Sequence, residues 1–301
     1  MSRRGLLLFA AMCVIWGIPY LFIRIAVGEL SPPTLVFFRT GVAALILLPF
    51  ALSRDGLRAA RRRWVPLLAF AAVEVAAPWL LLSSAEQHIT SALAGLLISA
   101  VPMVGVIIAT SLGNREHLGL ATLSGLGVGL AGVALIVGSD LRASEPFALL
   151  EMAGVVIGYA LGPAILARYL TDVPAVTVNG LALAVCCVGY APVAALHWPG
   201  AVPSLAALGS IAVLAVVCTA LAFLLFFQLI AEIGPVRATV ITYVNPAVAA
   251  LLGVAVLRES FTAGMGLGFV LVLVGSVLST RRRGLPAAGV VVPESQAGEA
   301  I

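Results

Sequence analysis

The chain has 301 residues, 62% hydrophobic and 10% charged, with a mean hydropathy of +1.15 and a formal net charge of +4. Soluble domains carry roughly a quarter of their residues as charges, so this composition excludes a water-soluble fold and leaves the lipid bilayer as the solvent. The basic residues are all arginines, most of them spread over short loops and termini, which speaks against a nucleic-acid partner and fits the arginine bias of cytoplasmic loops.

Apolar runs of about 20 residues, the length that crosses a bilayer, fall at 6–27, 34–52, 66–85, 91–111, 119–138, 151–169, 175–196, 204–230, 237–256 and 262–279. The first begins behind Arg3-Arg4 and continues past Trp16 and Pro19 to Val27, which makes it a span rather than a cleaved leader. Prolines open or precede later runs at Pro32-Pro33, Pro66, Pro174 and Pro203, where a missing N–H costs no helical hydrogen bond. With the N-terminus in the cytoplasm, thirteen arginines face inward and only Arg142 and Arg258 outward, while Arg24 and Arg39 lie inside spans. This predicts a multi-pass protein of the cell (inner) membrane with both termini cytoplasmic and a disordered cytoplasmic tail over 284–301.

The chain repeats itself. A shift of 144 positions lays Pro19 on Pro163, Arg24 on Arg168 and Pro102 on Pro246, and a shift of 143 lays Glu116 on Glu259, Gly125 on Gly268 and Gly132 on Gly275. Two five-helix halves follow, over 1–140 and 145–283. Because five is odd, the second half enters the membrane from the opposite face. The expected fold is therefore an all-α integral membrane bundle of about ten helices, built as two inverted repeats, an arrangement that supplies two interconvertible states for alternating access.

Certain residues carry a family resemblance: Ile15-Trp16-Gly17, Ser31-Pro32 followed by Arg39, Glu86-Gln87-His88-Ile89 running into Ser91-Ala92-Leu93-Ala94-Gly95-Leu96, Tyr243-Val244-Asn245-Pro246, Leu257-Arg258-Glu259-Ser260, and Pro102 with Glu116. With these the chain resembles the EamA-type branch of the drug/metabolite transporter superfamily from about Leu6 to Thr280. The resemblance implies a secondary transporter exporting a small metabolite, an amino acid or related organic compound, or a drug. The second half has Ala160-Leu161 where the first has Trp16-Gly17, so an aromatic lining is not expected to be symmetric.

Charges inside spans are costly and mark solute or proton pathways. Glu74, mid-span in the third run, is either a neutral carboxyl bonded to a neighbouring helix or a proton-coupling or ammonium site; Arg39 is a pairing partner of Glu74 or Glu29, or a contact for a substrate carboxylate. Trp16, Pro19 and Tyr20, with Tyr159 and Pro163 near the repeat-related position, are lining candidates because proline frees backbone carbonyls. Trp79, Ser83, Tyr243 and Asn245 follow on the same reasoning, and Glu86, Gln87 and His88 read as an external gate or a solvated loop.

Gly127-Val128-Gly129-Leu130-Ala131-Gly132 fits a dinucleotide motif only in spelling, since no strand precedes it. Gly125, Gly129, Gly264 and Gly268 instead predict close helix contact, with a homodimer left open. The four cysteines lie in apolar runs without metal-ligand spacing, and no nucleotide-binding or hydrolase motif occurs, so no cofactor and no enzymatic activity are expected. The expected partners are a small-molecule substrate, protons and membrane lipid. A membrane sensor or scaffold, and a lipid-linked carrier on the same fold, are the alternatives.

Overall fold

The computed structural model describes residues 2–111, 120–139, 145–238 and 240–280; Glu116, Arg142 and the tail over 284–301 lie outside them. Among the described residues all regular structure is helical. The long apolar helices are α1 (Arg3–Ala26), α2 (Pro32–Ala51), α3 (Trp64–Ala85), α4 (Ser91–Ser111), α5 (Leu120–Gly138), α6 (Pro146–Tyr169), α7 (Ala175–Leu196), α8 (Leu205–Ile233), α9 (Ile241–Leu257) and α10 (Ala263–Thr280). Eight are long and apolar enough to cross a bilayer; the apolar stretches of α5 (Thr122–Gly138) and α9 (Ile241–Leu257) are shorter.

Local chemistry sets the ends. Ser2, Thr90 and Ser204 accept from backbone N–H groups of the first turns of α1, α4 and α8, satisfying donors that a helix start leaves bare. Between α2 and α3 a short polar helix, Arg54–Arg62, is capped by Ser53, with Asp55 in its first turn and Arg61 and Arg62 in its last, each sign complementing the helix dipole. Pro19 cannot donate to the carbonyl of Ile15, and α1 breaks at 16–18.

Packing pairs the two halves. The most extensive contacts join α5 to α10 and α2 to α7, and α4 packs on α9, so each of these helices meets its repeat counterpart. The contact of α3 with α6 is answered by that of α8 with α1. The paired helices α5 and α10 touch backbone to backbone: a Cβ on Gly132 would lie 2.6 Å from the Gly268 carbonyl oxygen, and one on Gly275 would lie 2.5 Å from the Gly129 nitrogen. The small-residue stripe thus makes the close helix contact expected of it. Without a hydrophobic drive between helices in lipid, such close approach is the main source of cohesion. Gly132→Ala is expected to cost about 1–3 kcal/mol through overpacking, read as a lower melting temperature of the detergent-solubilised protein.

Two helices depart from α geometry at related places. The segment Ala71–Ala76 of α3 and the segment Val213–Leu221 of α8 are π-helical. The 144-position shift carries 71–76 onto 215–220, inside the second π segment, and so lays Glu74 on Cys218 and Trp79 on Phe223. Neither segment contains Pro or Gly, and π turns of this kind gather at functional sites.

Candidate functional site

A π turn widens the helix and loosens its carbonyls, and here side chains take them up. Cys186 and Tyr190 of α7 donate to the carbonyls of Ala71 and Ala76 in α3, at 3.4 and 3.0 Å. In α8, Thr219 donates to its own Leu214 carbonyl at 2.8 Å. The same Thr219 oxygen accepts from Arg39 Nε at 3.1 Å, so the π turn of α8 positions the acceptor for a charge on α2.

Arg39 is 7% exposed. Its guanidinium carbon lies 3.6 Å above the centre of the Trp79 ring of α3, a cation–π contact strengthened by desolvation. Tyr159, Cys218, Tyr20 and Glu86 stand within electrostatic range, but no carboxylate is within ion-pair distance of it among the described residues. This corrects the expected partners. Glu29 instead accepts from the Ser204 N–H at 2.7 Å and from its hydroxyl at 2.5 Å, bonds that hold the Glu29 carboxyl below its usual range.

Glu74, half-buried in the π turn of α3, presses against α6 where a side chain is missing. A Cβ on Gly162 would fall 1.8 Å from Glu74 Oε2, and that oxygen is sealed from solvent with no hydrogen-bond partner. Gly162 therefore makes the room for this carboxyl, one residue before Pro163. Tyr159 is close to the Trp79 side chain and lies within electrostatic range of Arg39, Glu74 and Glu86. Tyr159 is the common neighbour of the two ends of the site, whereas Arg39 and Glu74 do not meet.

The other lining candidates sort by place. Trp16 packs against Phe226 with ring centroids 4.7 Å apart and planes tilted by 47°, and meets Phe223 edge-on at 6.2 Å. Trp79 of α3 and Phe223 of α8 occupy repeat-related positions; Trp79 neighbours Tyr159 of α6, while Phe223 meets Trp16 of α1. Pro19, Tyr20 and Ser83 are buried, Tyr243 is half-buried and Pro163 is exposed. Asn245, with its amide nitrogen toward the Cys13 and Ile241 carbonyls at 3.0 and 2.9 Å, ties α9 to α1.

At one end of the bundle Glu86 is fully buried with both carboxyl oxygens unpartnered, while its backbone carbonyl accepts from Arg24. Burial holds its carboxyl well above the usual carboxylate range; Glu259 pushes the same way, and Arg24 and Arg39 oppose. Gln87 and His88 are exposed; His88 Nδ1 lies 3.4 Å from Glu145. Beside them Glu259 accepts from the Ser91 N–H (2.8 Å), the Ser91 hydroxyl (3.0 Å) and the Ala92 N–H (2.9 Å), capping α4 from the α9–α10 connection. Arg258, in the left-handed region at φ 56°, turns the chain for this. Glu259–Ser91, His88–Glu145 and Glu29–Ser204 each join one half to the other. Thr219, Gly162 and Phe223 escape a reading of single residues; the repeat register, which pairs Glu74 with Cys218 and Trp79 with Phe223, leads to Phe223 and to the neighbour of Thr219, while nothing comparable marks Gly162.

A groove of about 680 Å³ also opens between α2 and α8, lined by Phe38, Val42, Trp198, Leu208, Ile211 and Val216 among others.

Comparison with known proteins follows the same division. The sequence profile of the EamA-like transporter family matches residues 3–138 and again 146–281. The chain is 28% identical over 291 residues to "Uncharacterized inner membrane transporter YedA" of Escherichia coli K12, covering 95% of this chain and 94% of the relative, and the same protein from strains O6:H1 and O157:H7 matches equally. A solved crystal structure shares the fold over 93% of this chain and 98% of its own, with a TM-score of 0.65 at 20% identity.

Proposed function

The chain belongs to the EamA-like transporter family, and from that premise we propose that this membrane transporter is a proton-coupled exporter of a small metabolite, an amino acid or related organic compound or a drug, working by alternating access in the inner membrane. The observation that carries this reading is the pair of π turns at repeat-related positions, one holding Glu74 and the other holding Thr219 against Arg39. Equivalent irregular segments on α3 and α8 give the bundle two related places to bend, and exchange of their roles between halves is the physical content of alternation. In this reading the termini are cytoplasmic and the end carrying Glu86, Ser91 and Glu259 is external. A transmembrane potential supplies about 2.3 kcal/mol per charge per 100 mV, enough to drive uphill efflux of a small solute with one proton.

The test is an untargeted comparison of extracellular metabolites from cells lacking the protein and cells overexpressing it, repeated with the proton gradient collapsed. One compound class rising outside only with the protein and only with the gradient is the expected result. A rise that survives collapse removes proton coupling, and no change in any class removes export. The groove between α2 and α8 favours one second reading, a lipid-linked carrier, for which the accumulating class would partition with membranes rather than medium.

A further inference from the structure

We propose that Arg39 is the anion site of the transport pathway and takes the carboxylate of a monocarboxylic solute whose apolar or aromatic body lies along Trp79 and Tyr159. This rests on the transporter reading and adds to it the chemical class of the solute.

The guanidinium is nine-tenths buried and its plane is fixed twice, by the Trp79 face and by the bond from Nε to Thr219. What remains is the edge that carries the two Nη groups, and neither has an acceptor among the described residues. The sealed, partnerless side-chain atoms among the described residues include oxygens of Glu74, Glu86 and Glu151 but no nitrogen of Arg39. A buried charge without a counter-charge is strongly disfavoured unless something pairs with it. An internal carboxylate would have settled Arg39 permanently; here the nearest acidic groups stay at electrostatic range.

The free edge selects its ligand by shape and charge. Two parallel N–H groups in one plane match the two oxygens of a carboxylate. Arg39 is the buried cation at this place, and Glu74 and Glu86 are both within electrostatic range of Tyr159, so a dianion such as a phosphate monoester would leave a negative charge unbalanced near two acidic side chains. The Tyr159 hydroxyl, within electrostatic range of the guanidinium, can donate to the bound anion. The aromatic side chains beside the anion position are Trp79, against the guanidinium, and Tyr159, within electrostatic range of it. Thr219 is a positioning residue, since it aims the guanidinium without touching the solute.

The experiment is an equilibrium titration of the full-length protein in lipid nanodiscs, with no gradient, followed by tryptophan fluorescence. The probes are 3-phenylpropionate, phenylalanine, 3-phenylpropanamide and phenyl phosphate. The expected result is saturable quenching by at least one of the two carboxylates, roughly tenfold or more stronger than by the amide or the phosphate ester. Arg39→Lys is expected to lose about tenfold in affinity for the acid, because an ammonium cannot pair bidentately. Thr219→Val is expected to weaken the acid and leave the amide unchanged. Arg39→Gln should bind acid and amide alike; if it does not fold, Arg39→Lys decides. Equal binding of acid and amide by the unaltered protein, tighter binding of the phosphate ester, full affinity in Arg39→Lys, or no saturable response to either acid overturns the site. Acid-selective binding without counterflow in proteoliposomes sinks the transport reading and leaves the site; counterflow without acid selectivity does the reverse.

Discussion

Glu74→Gln is expected to lower gradient-driven export by roughly tenfold or more and to leave the residual rate without pH dependence. Gln has nearly the same volume as Glu and can lie against Gly162 as the carboxyl does, so the contact between α3 and α6 survives the change. What disappears is a group that can gain and lose a proton in the π turn. If Glu74 were only a neutral carboxyl filling a gap between helices, Gln would serve as well, and rate and pH profile would both stay. Glu74→Asp keeps the proton but withdraws it by one methylene and is expected to retain part of the activity. Gly162→Ala gives an independent handle, because its Cβ would fall 1.8 Å from Glu74 Oε2 and must displace the carboxyl or the helix. Its expected phenotype is that of Glu74→Gln together with a lowered melting temperature, because the Glu74 Cβ would also lie only 2.8 Å from the new methyl. Counterflow into proteoliposomes with an imposed pH difference measures all three; an unchanged pH profile in Glu74→Gln removes Glu74 from coupling.

The architecture was legible because it rests on summed hydropathy and on a repeat, signals that many residues share. The apolar runs and the prolines that open them place the helices to within a few residues, and Trp16-Gly17 with Pro19 marks the break in α1 where the backbone loses a donor. The irregular centre was not legible in the same way. AAVEVA and VLAVVCTAL contain no helix breaker, and a π turn there comes from tertiary contacts such as Tyr190 to the Ala76 carbonyl, which join residues 114 apart. The placement of Arg39 failed at the same level. Charge alone suggested Glu74 or Glu29, but Thr219 lies 180 positions away and Trp79 binds through its ring face, so neither shows as an opposite charge. The role of Glu259 as a cap on α4 was not legible, because a cap supplied from the other half has no local sequence mark. Glu116, the repeat mate of Glu259, lies outside the described residues.

The cap from Glu259 leads to the second large effect, at the Glu86 end of the bundle. Three donors of α4 converge on one carboxylate at a helix N-terminus, and hydrogen bonds to a charged acceptor are worth about 1.5–3 kcal/mol each, less than additively when shared. A net loss of about 2–3 kcal/mol on Glu259→Ala shifts the ratio of closed to open states at this end roughly 30- to 150-fold. Cys218, 2% exposed and within electrostatic range of Arg39, reports the opening. In a protein whose Cys13, Cys186 and Cys187 are replaced by Ala, a membrane-impermeant thiol reagent applied from the Glu86 side should modify Cys218 at least about tenfold faster in Glu259→Ala. The same end should respond to pH. Glu259, Arg24 and Arg39 set the charge around Glu86, and Tyr20 and Tyr159 stand in range. Because its carboxyl is held above the usual range when buried, the closed state carries an extra proton. Its stability is full below the ordinary carboxylate value, about 4.3, and falls by about 1.4 kcal/mol per pH unit until pH passes the raised value. Raising pH should therefore speed labelling beyond what a growing thiolate fraction gives, and Glu86→Gln should show the thiolate effect alone. Labelling rates that are equal in Glu259→Ala and the parent, or pH profiles that coincide for Glu86→Gln and the parent, would show that this end is held by packing and not by its carboxyl groups.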